Sequence, residues 1–159
     1  MKLQDKRVLD VCCGGRMFWF DKNNPDTLYV DNRQLEQTRF TNRQTFSVEP
    51  DAVMDFRHLD LENETFSLVV FDPPHLVRAG MTGWMTKKYG CLNKETWRDD
   101  ITKGFSECFR VLKKDGVLVF KWNENDIPLK EVLALAPKQP LFGNRTPERQ
   151  MTHWLVFMK

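Results

Sequence analysis

Short apolar runs that end at polar residues dominate the hydrophobic pattern of this sequence. Three of them have the length of a β-strand, at residues 27–30, 68–71 and 117–120, and residues 6–11, which are basic and then apolar, predict another short strand. Residues 95–112 instead repeat their apolar side chains at the spacing of one helix face. Because continuous apolar runs are typical of strands covered on both faces, the pattern predicts an α/β fold with a mostly parallel sheet.

Weaker patterns predict the remaining elements. We expect helical turns at residues 17–21, a short helix within 33–43 and another over 127–135. Residues 45–48 are predicted to be extended, and residues 153–158 predict a closing strand. These assignments place helices or turns between most of the strands.

Composition indicates one folded domain. The 159 residues contain no repeat, low-complexity tract or linker, so we predict a single domain over residues 1–159. An apolar content of 41% and five tryptophans argue against disorder, and a net charge of +2 is too small to identify a nucleic-acid partner. No apolar run approaches the length of a membrane span, and the first residues lack the apolar core of a signal peptide, so we expect no membrane association.

The four cysteines carry no metal-binding pattern. They are Cys12, Cys13, Cys91 and Cys108, and none is spaced as C-x-x-C or accompanied by a nearby pair of histidines. We therefore predict no metal site, and we expect reduced thiols in a cytoplasmic protein.

The strand at residues 68–71 ends in the strongest candidate chemistry, the tetrapeptide Asp72-Pro73-Pro74-His75. The two prolines have no N–H for a sheet and fix their φ, so the chain leaves the sheet there. In an open α/β sheet this carboxyl edge is where ligands bind. Lys121 follows the strand at 117–120, and we expect it near the same edge.

A second candidate begins at the first predicted strand. That strand ends in Asp10 and is followed by Gly14 and Gly15, which is typical of the first turn of a nucleotide-binding unit. Asp31 ends the second strand 21 positions later, at the spacing of a carboxylate that binds ribose hydroxyls. A generic turn and a solvated aspartate are the alternatives.

These segments together resemble the class I S-adenosylmethionine-dependent methyltransferases. Residues 72–75 resemble the Asp/Asn/Ser-Pro-Pro-aromatic motif of the amine-directed group, and residues 10–15 resemble the family's Asp-x-Phe/Cys-Cys-Gly-x-Gly motif. The resemblance implies a single Rossmann-like, doubly wound, mostly parallel sheet that ends in an antiparallel hairpin. It also implies S-adenosyl-L-methionine as the cofactor.

The resemblance further implies a cofactor site assembled after the first three strands. Its residues would be Asp10, Cys12, Gly14, Gly15, Arg16, Asp31, Asn32, Asp55 and Phe56. Arg16 stands where the family usually has glycine and could reach the cofactor carboxylate. Asp55 would bind the adenine amine, and Phe56 would pack on the adenine ring.

Residues 72–75 favour an amine as the group that accepts the methyl. Asp72 and the carbonyl of Pro73 can accept both hydrogens of an exocyclic amine, and the rigid Pro73-Pro74 turn keeps them in place. His75 would pack on the amine's plane, where the family has Tyr, Phe or Trp. The resemblance implies an adenine amine in DNA or RNA, hence a nucleic-acid partner. A small amine, a protein side chain and a non-catalytic nucleotide-binding module are the alternatives.

Residues 76–96 form a long stretch without a clear period. Trp84 and Tyr89 alternate there with basic residues, among them Lys87 and Lys88. Such a mixture predicts a lid or a segment that contacts a nucleobase and its phosphates, with a plain surface loop as the alternative.

Overall fold

A computed structural model describes residues 5–41, 44–78, 84–144 and 151–159 of the chain. Its strands are β1 (Val8–Asp10), β2 (Thr27–Asp31), β3 (Leu35–Thr41), β4 (Gln44–Val48), β5 (Ala52–Val53), β6 (Phe66–Phe71), β7 (Leu112–Asn123), β8 (Phe142–Gly143) and β9 (Thr152–Met158). Its helices are α1 (Trp84–Tyr89), α2 (Trp97–Val111) and α3 (Leu129–Leu133). Residues 79–83, within the predicted lid segment, lie outside this description.

The central sheet has seven strands in the order β5-β2-β1-β6-β7-β9-β8. The first five run parallel, whereas β9 lies antiparallel between β7 and β8. The chain moves outward from β1 to β2 and β5, and then returns to the other side of β1 with β6. The predicted Rossmann-like, mostly parallel sheet with antiparallel closing strands is therefore confirmed. The carboxyl ends of β1, β2, β6 and β7 share one edge.

Helix α2 builds the core on one face of this sheet. The ring of Phe105 lies 5.6 Å from that of Phe71 on β6 and 4.9 Å from that of Phe120 on β7. The helix can come this close because position 104 is glycine: a Cβ there would lie 2.5 Å from the ring of Phe71. The apolar stripe predicted over residues 95–112 thus forms one helix whose buried face fixes β6 and β7 side by side.

Two predicted helical segments are wrong. Residues 17–21 form turns, because the Trp19 ring packs edge-on against Tyr29 at 5.1 Å and Phe18 packs edge-on against Trp154 at 5.3 Å. These aromatic rings cover the second face of the sheet directly, where a helix was expected. Residues 35–41 form β3, which pairs with β4 in a separate two-stranded sheet. The two threonines and the phenylalanine of this segment favour strand over helix.

No helix in the described part of the chain is long and apolar enough to cross a membrane.

Candidate functional site

A cavity of about 550 Å³ opens at the shared carboxyl edge of β1, β2, β6 and β7. Its volume is within the range of small-molecule sites. Ten of the predicted site residues line it: Cys12, Gly14, Gly15, Asp31, Asn32, Phe56, Asp72, Pro73, Pro74 and His75. The structure therefore brings both candidate regions, the loop after β1 and the turn after β6, into one hollow.

Asp31 is fixed at one end of this cavity by four hydrogen bonds. Its Oδ2 accepts from the Gly14 N–H at 2.9 Å and from Arg33 Nη2 at 3.2 Å. Its Oδ1 accepts from the Arg33 N–H at 3.0 Å and from Arg33 Nε at 2.9 Å. Gly14 has a left-handed φ of +48°, which glycine adopts without strain. The carboxylate is thus tied to the loop after β1 and to its own strand end.

Asp72 lies at the other end and is bound differently. Its Oδ2 accepts a hydrogen bond of 2.6 Å from Lys121 Nζ on β7, and no described residue donates to its Oδ1. The side chain is 20% exposed. Burial raises the pKa of Asp72, and the Lys121 charge only partly offsets that effect. One carboxylate oxygen is paired, and the other is available in the cavity wall.

His75 extends this end of the cavity as a partly buried imidazole. Its ring lies 6.1 Å from Tyr89 at the end of α1 and 6.3 Å from Trp122 on β7. Burial, together with the nearby Lys121 charge, lowers the pKa of His75, although Asp126 opposes the shift. The imidazole is therefore neutral at pH 7.

Helix α1 brings two further residues to the cavity, Lys88 and Tyr89. The chain can place them there because Gly90 has a φ of +76° and approaches Pro74 closely: a Cβ at position 90 would lie 2.8 Å from Pro74 Cγ. The sequence pattern pointed to this segment through its aromatic and basic residues, but it assigned neither residue a role.

Asp10 lies beneath the cavity instead of lining it. It is fully buried, and it accepts hydrogen bonds from Trp19 Nε1 at 2.7 Å and from the Cys12 N–H at 3.3 Å. Burial raises its pKa to about 7, and the charges of Asp72 and Asp31 add to the effect. Asp10 therefore supports the loop after β1 from below, and we do not place it among the residues that touch a ligand.

Arg16 also lies outside the cavity wall, contrary to expectation. Its guanidinium lies 3.8 Å from the centre of the Tyr29 ring and donates to the carbonyls of Lys22 and Glu49 at 2.6 and 2.7 Å. It makes a further ion pair with Asp51. These contacts hold the side chain away from the cavity, so the structure gives no support for a role at a cofactor carboxylate.

Asp55 is the third predicted residue that does not line the cavity. Its carboxylate accepts from Arg57 Nε at 2.9 Å, and this pairing lowers the pKa of Asp55. The next residue, Phe56, does line the cavity and also packs on Phe71 at 5.5 Å. Of the two residues expected to bind adenine, Asp55 therefore belongs to a surface ion pair and Phe56 lies in the cavity wall.

The cysteines of the loop after β1 are neutral thiols. Burial raises the pKa of Cys13 to about 12, and it also raises that of Cys12. A protonated thiol is a poor nucleophile, so these residues contribute surface to the cavity, not covalent chemistry. In the part of the chain that the structure describes, no three His, Cys, Asp or Glu side chains are grouped to hold a metal ion.

The sequence identified both carboxylates, Asp31 and Asp72, but it did not predict their hydrogen-bond partners. Arg33 follows Asp31 by two residues, and only the folded geometry shows that it fills both oxygens. Lys121 was expected near the site from its place after an apolar run. Its pairing with Asp72 depends on the parallel register that sets Phe71 beside Phe120.

The sheet order and the cavity at its switch point define a Rossmann-like α/β fold. No protein-family model and no curated protein sequence matches the chain. Among solved structures, the PH0226 protein from Pyrococcus horikoshii OT3 aligns with a TM-score of 0.60 and 16% identity, over 95% of this chain and 80% of its own. A protein from Methanosarcina mazei described as a SAM-dependent methyltransferase aligns with a TM-score of 0.53 and 13% identity, over 98% of this chain and 93% of its own. At these identities the likeness establishes the fold.

Proposed function

We propose that this chain is an S-adenosylmethionine-dependent N-methyltransferase that acts on an uncharged exocyclic amine, with adenine in DNA or RNA as the favoured acceptor. The observation that carries the proposal is the single cavity shared by Asp31 and Asp72. A nucleotide-binding carboxylate and an amine-binding carboxylate must face one another across such a space. The M. mazei protein of the same fold, described as a SAM-dependent methyltransferase, adds support by analogy.

The donor set of the cavity fits S-adenosylmethionine. Asp31 ends β2 with a carboxylate suited to two adjacent ribose hydroxyls, and Asn32 and Phe56 lie in the same wall to take the adenine. A Cβ at Gly14 would meet no atom within 4 Å, so the loop leaves room beside the backbone for the methionine part. When bound, this cofactor supplies a sulfonium methyl group as the electrophile.

Arg33 sets one condition on that fit. The two backbone donors of Gly14 and Arg33 hold the Asp31 carboxylate in position, and the two guanidinium donors occupy its remaining lone pairs. A ribose diol that binds Asp31 must replace the guanidinium bonds. We therefore propose that Arg33 turns aside as the adenosine enters.

The residues after β6 would prepare the acceptor. Asp72 Oδ1 and the Pro73 carbonyl accept the two amine hydrogens, which leaves electron density on nitrogen, and the prolines hold both acceptors in place. Neutral His75 and the ring of Tyr89 provide flat surfaces for a planar acceptor. Lys88 adds a positive charge at the cavity wall, which suits a phosphate of the same substrate.

A label-transfer experiment tests the reaction and the acceptor together. The protein is incubated with methyl-labelled S-adenosylmethionine and separate pools of DNA, RNA, protein and small amines. We expect label in a nucleic-acid pool and a steep loss of transfer with added salt. Label in the protein or small-amine pool would support the alternative acceptors. Cofactor binding without label in any pool would instead indicate a non-catalytic nucleotide-binding module.

A further inference from the structure

We propose that Lys121 sets the charge of the acceptor: by binding one oxygen of Asp72, it restricts the site to an uncharged planar amine and excludes an alkylammonium. This inference rests on the proposed function, because it assigns the acceptor class of the same site. Lys121 would act as a specificity-determining residue that works through Asp72.

The ammonium of Lys121 is held firmly enough for this role. It donates to Asp72 Oδ2 at 2.6 Å, and it lies 5.4 Å from the centre of the Phe18 ring and 5.7 Å from that of Trp154. Aromatic faces at these distances attract a cation. Lys121 is also anchored by its strand, because β7 pairs with β6 on one side and β9 on the other. The ammonium therefore makes three favourable contacts, and together they stabilise its pairing with Asp72.

Among the described residues, the charges around the acceptor end then leave no excess of negative charge. The charges of Asp72 and Lys121 cancel, and His75 is neutral. Asp126, a further described carboxylate near His75, accepts hydrogen bonds from the backbone N–H groups of Val77 and Arg78 and does not line the cavity. A second cation placed beside Asp72 would face the Lys121 ammonium across one carboxylate, and its own desolvation would go uncompensated.

An uncharged amine can bind at the same position without this electrostatic cost. Asp72 Oδ1 accepts no hydrogen bond from the described residues, so it can accept an N–H without displacing Lys121. A neutral N–H donor does not require the full carboxylate charge, whereas an ammonium does. The pairing of Asp72 with Lys121 thus removes the feature that a protein lysine side chain would need.

Binding measurements on protein saturated with S-adenosylhomocysteine test this inference apart from turnover. Adenosine serves as the uncharged amine and n-butylamine as the alkylammonium, and NMR titration gives the ratio of their affinities. We expect Lys121→Gln to shift this ratio toward n-butylamine by about tenfold, since an unpaired buried carboxylate attracts a cation. Asp72→Asn should shift the ratio the opposite way, and Lys121→Arg should keep the ratio of the unsubstituted protein.

Lys103 provides a matched control. It forms an ion pair of 2.7 Å with Asp99, of similar length to the Lys121 pair, but on the exposed surface of α2. Lys103→Gln should leave both affinities unchanged. Should Lys121→Gln fail to fold, the Asp72→Asn and Lys121→Arg variants still decide the question.

The inference is overturned if the affinity ratio stays constant in Lys121→Gln and Asp72→Asn, or if Lys121→Arg behaves like Lys121→Gln. A purely structural role for Lys121 predicts an equal loss for both ligands, which also overturns it. Failure of the proposed function has a different signature: S-adenosylhomocysteine itself would then not bind, or it would bind while the label-transfer experiment finds no methyl transfer to any pool.

Discussion

The two ends of the cavity hold their carboxylates in contrasting ways. Asp31 accepts four hydrogen bonds, two of them from backbone N–H groups, and all from residues of its own loop or the loop after β1. Among the described residues, Asp72 accepts one, from a lysine on a neighbouring strand. A carboxylate with every lone pair occupied is part of the scaffold until a ligand replaces a donor. A carboxylate with an open oxygen is ready to accept a hydrogen bond, so under the proposed function the difference separates a binding end from a reacting end.

The two cations differ in the same way. Arg33 follows Asp31 by two residues, so that pair can form whenever the strand end is in place. Lys121 lies 49 residues from Asp72, and their contact exists only when β6 and β7 are in register. The Asp72–Lys121 pair therefore depends on tertiary structure, whereas the Asp31–Arg33 pair is local.

Replacing Asp72 should have the largest effect. Asp72→Ala removes the open acceptor, and we expect methyl transfer to fall about 10²- to 10³-fold because the amine loses its positioned hydrogen-bond partner. The affinity for S-adenosylhomocysteine, measured by calorimetry, should stay the same, because Asp31 is at the other end. A variant that loses both functions together would contradict the division of the cavity.

Replacing Asp31 should affect cofactor binding, not the methyl-transfer step. We expect Asp31→Ala to weaken S-adenosylhomocysteine binding about 10- to 100-fold, since hydrogen bonds to a charged group are lost. The N–H of Gly14 also loses its acceptor, so Tm should fall by about 2–8 °C. Asp26→Ala is the control, because Asp26 forms an exposed ion pair with Arg7 at the opposite end of β2. Unchanged affinity in Asp31→Ala would remove the ribose role.

Removing Arg33 should produce a smaller effect of opposite sign. If its guanidinium competes with the ribose diol for Asp31, Arg33→Ala strengthens S-adenosylhomocysteine binding by about 2- to 5-fold, the value of a partly exposed ion pair. Titration calorimetry measures the change. Weaker binding in Arg33→Ala would show that Arg33 contacts the ligand directly and would end the competition argument.

Asp10 offers the most sensitive comparison of the two ends, because the charges of Asp72 and Asp31 both raise its pKa. Burial chiefly raises its pKa to about 7, and Asp72 contributes more than Asp31 to the remainder. Since the folded protein binds this proton more tightly than the unfolded chain, stability should decline as pH rises from about 4 to 7 and then level off. We expect Asp10→Asn to flatten this decline in thermal unfolding.

A direct titration sharpens that result. Carbon-13 NMR of the Asp10 carboxyl should show a lower pKa in Asp72→Asn than in Asp31→Asn, in keeping with the order of their contributions. The reverse order would mean that Asp31 carries more effective charge despite its Arg33 partner.

The sequence located the site through one rule of parallel sheets. Residues that follow successive strands meet at the carboxyl edge, so Asp31 and Asp72 could be placed together from the apolar runs that precede them. The glycines after β1 were found in the same way. The roles of Asp31 toward a cofactor and of Asp72 toward an amine are proposals.

The sequence did not show which partners Arg16, Asp55 and the segment at residues 17–21 contact in the folded chain. Arg16 turned from the cavity because Tyr29, on β2, offers a ring at 3.8 Å, and Asp55 found Arg57 two residues away. The helix expected at residues 17–21 gave way to packing of Phe18 and Trp19 on the sheet. A one-dimensional pattern shows which side chains are apolar, but it does not show which aromatic ring will cover them.

The direct aromatic cover of the sheet has a consequence for how the protein folds. Residues 12–26 contain no helix, and β1 pairs with β6 across 60 positions, since Val8 lies beside Leu68. Helix α2, in contrast, runs straight into β7 and packs on it at once. We expect the nucleus to form around α2 and β7, with β1 and β2 docking afterwards and slowly, because contacts distant in sequence carry a large loop-closure cost. Adenosine would then be recognised by the part of the molecule that acquires its structure last.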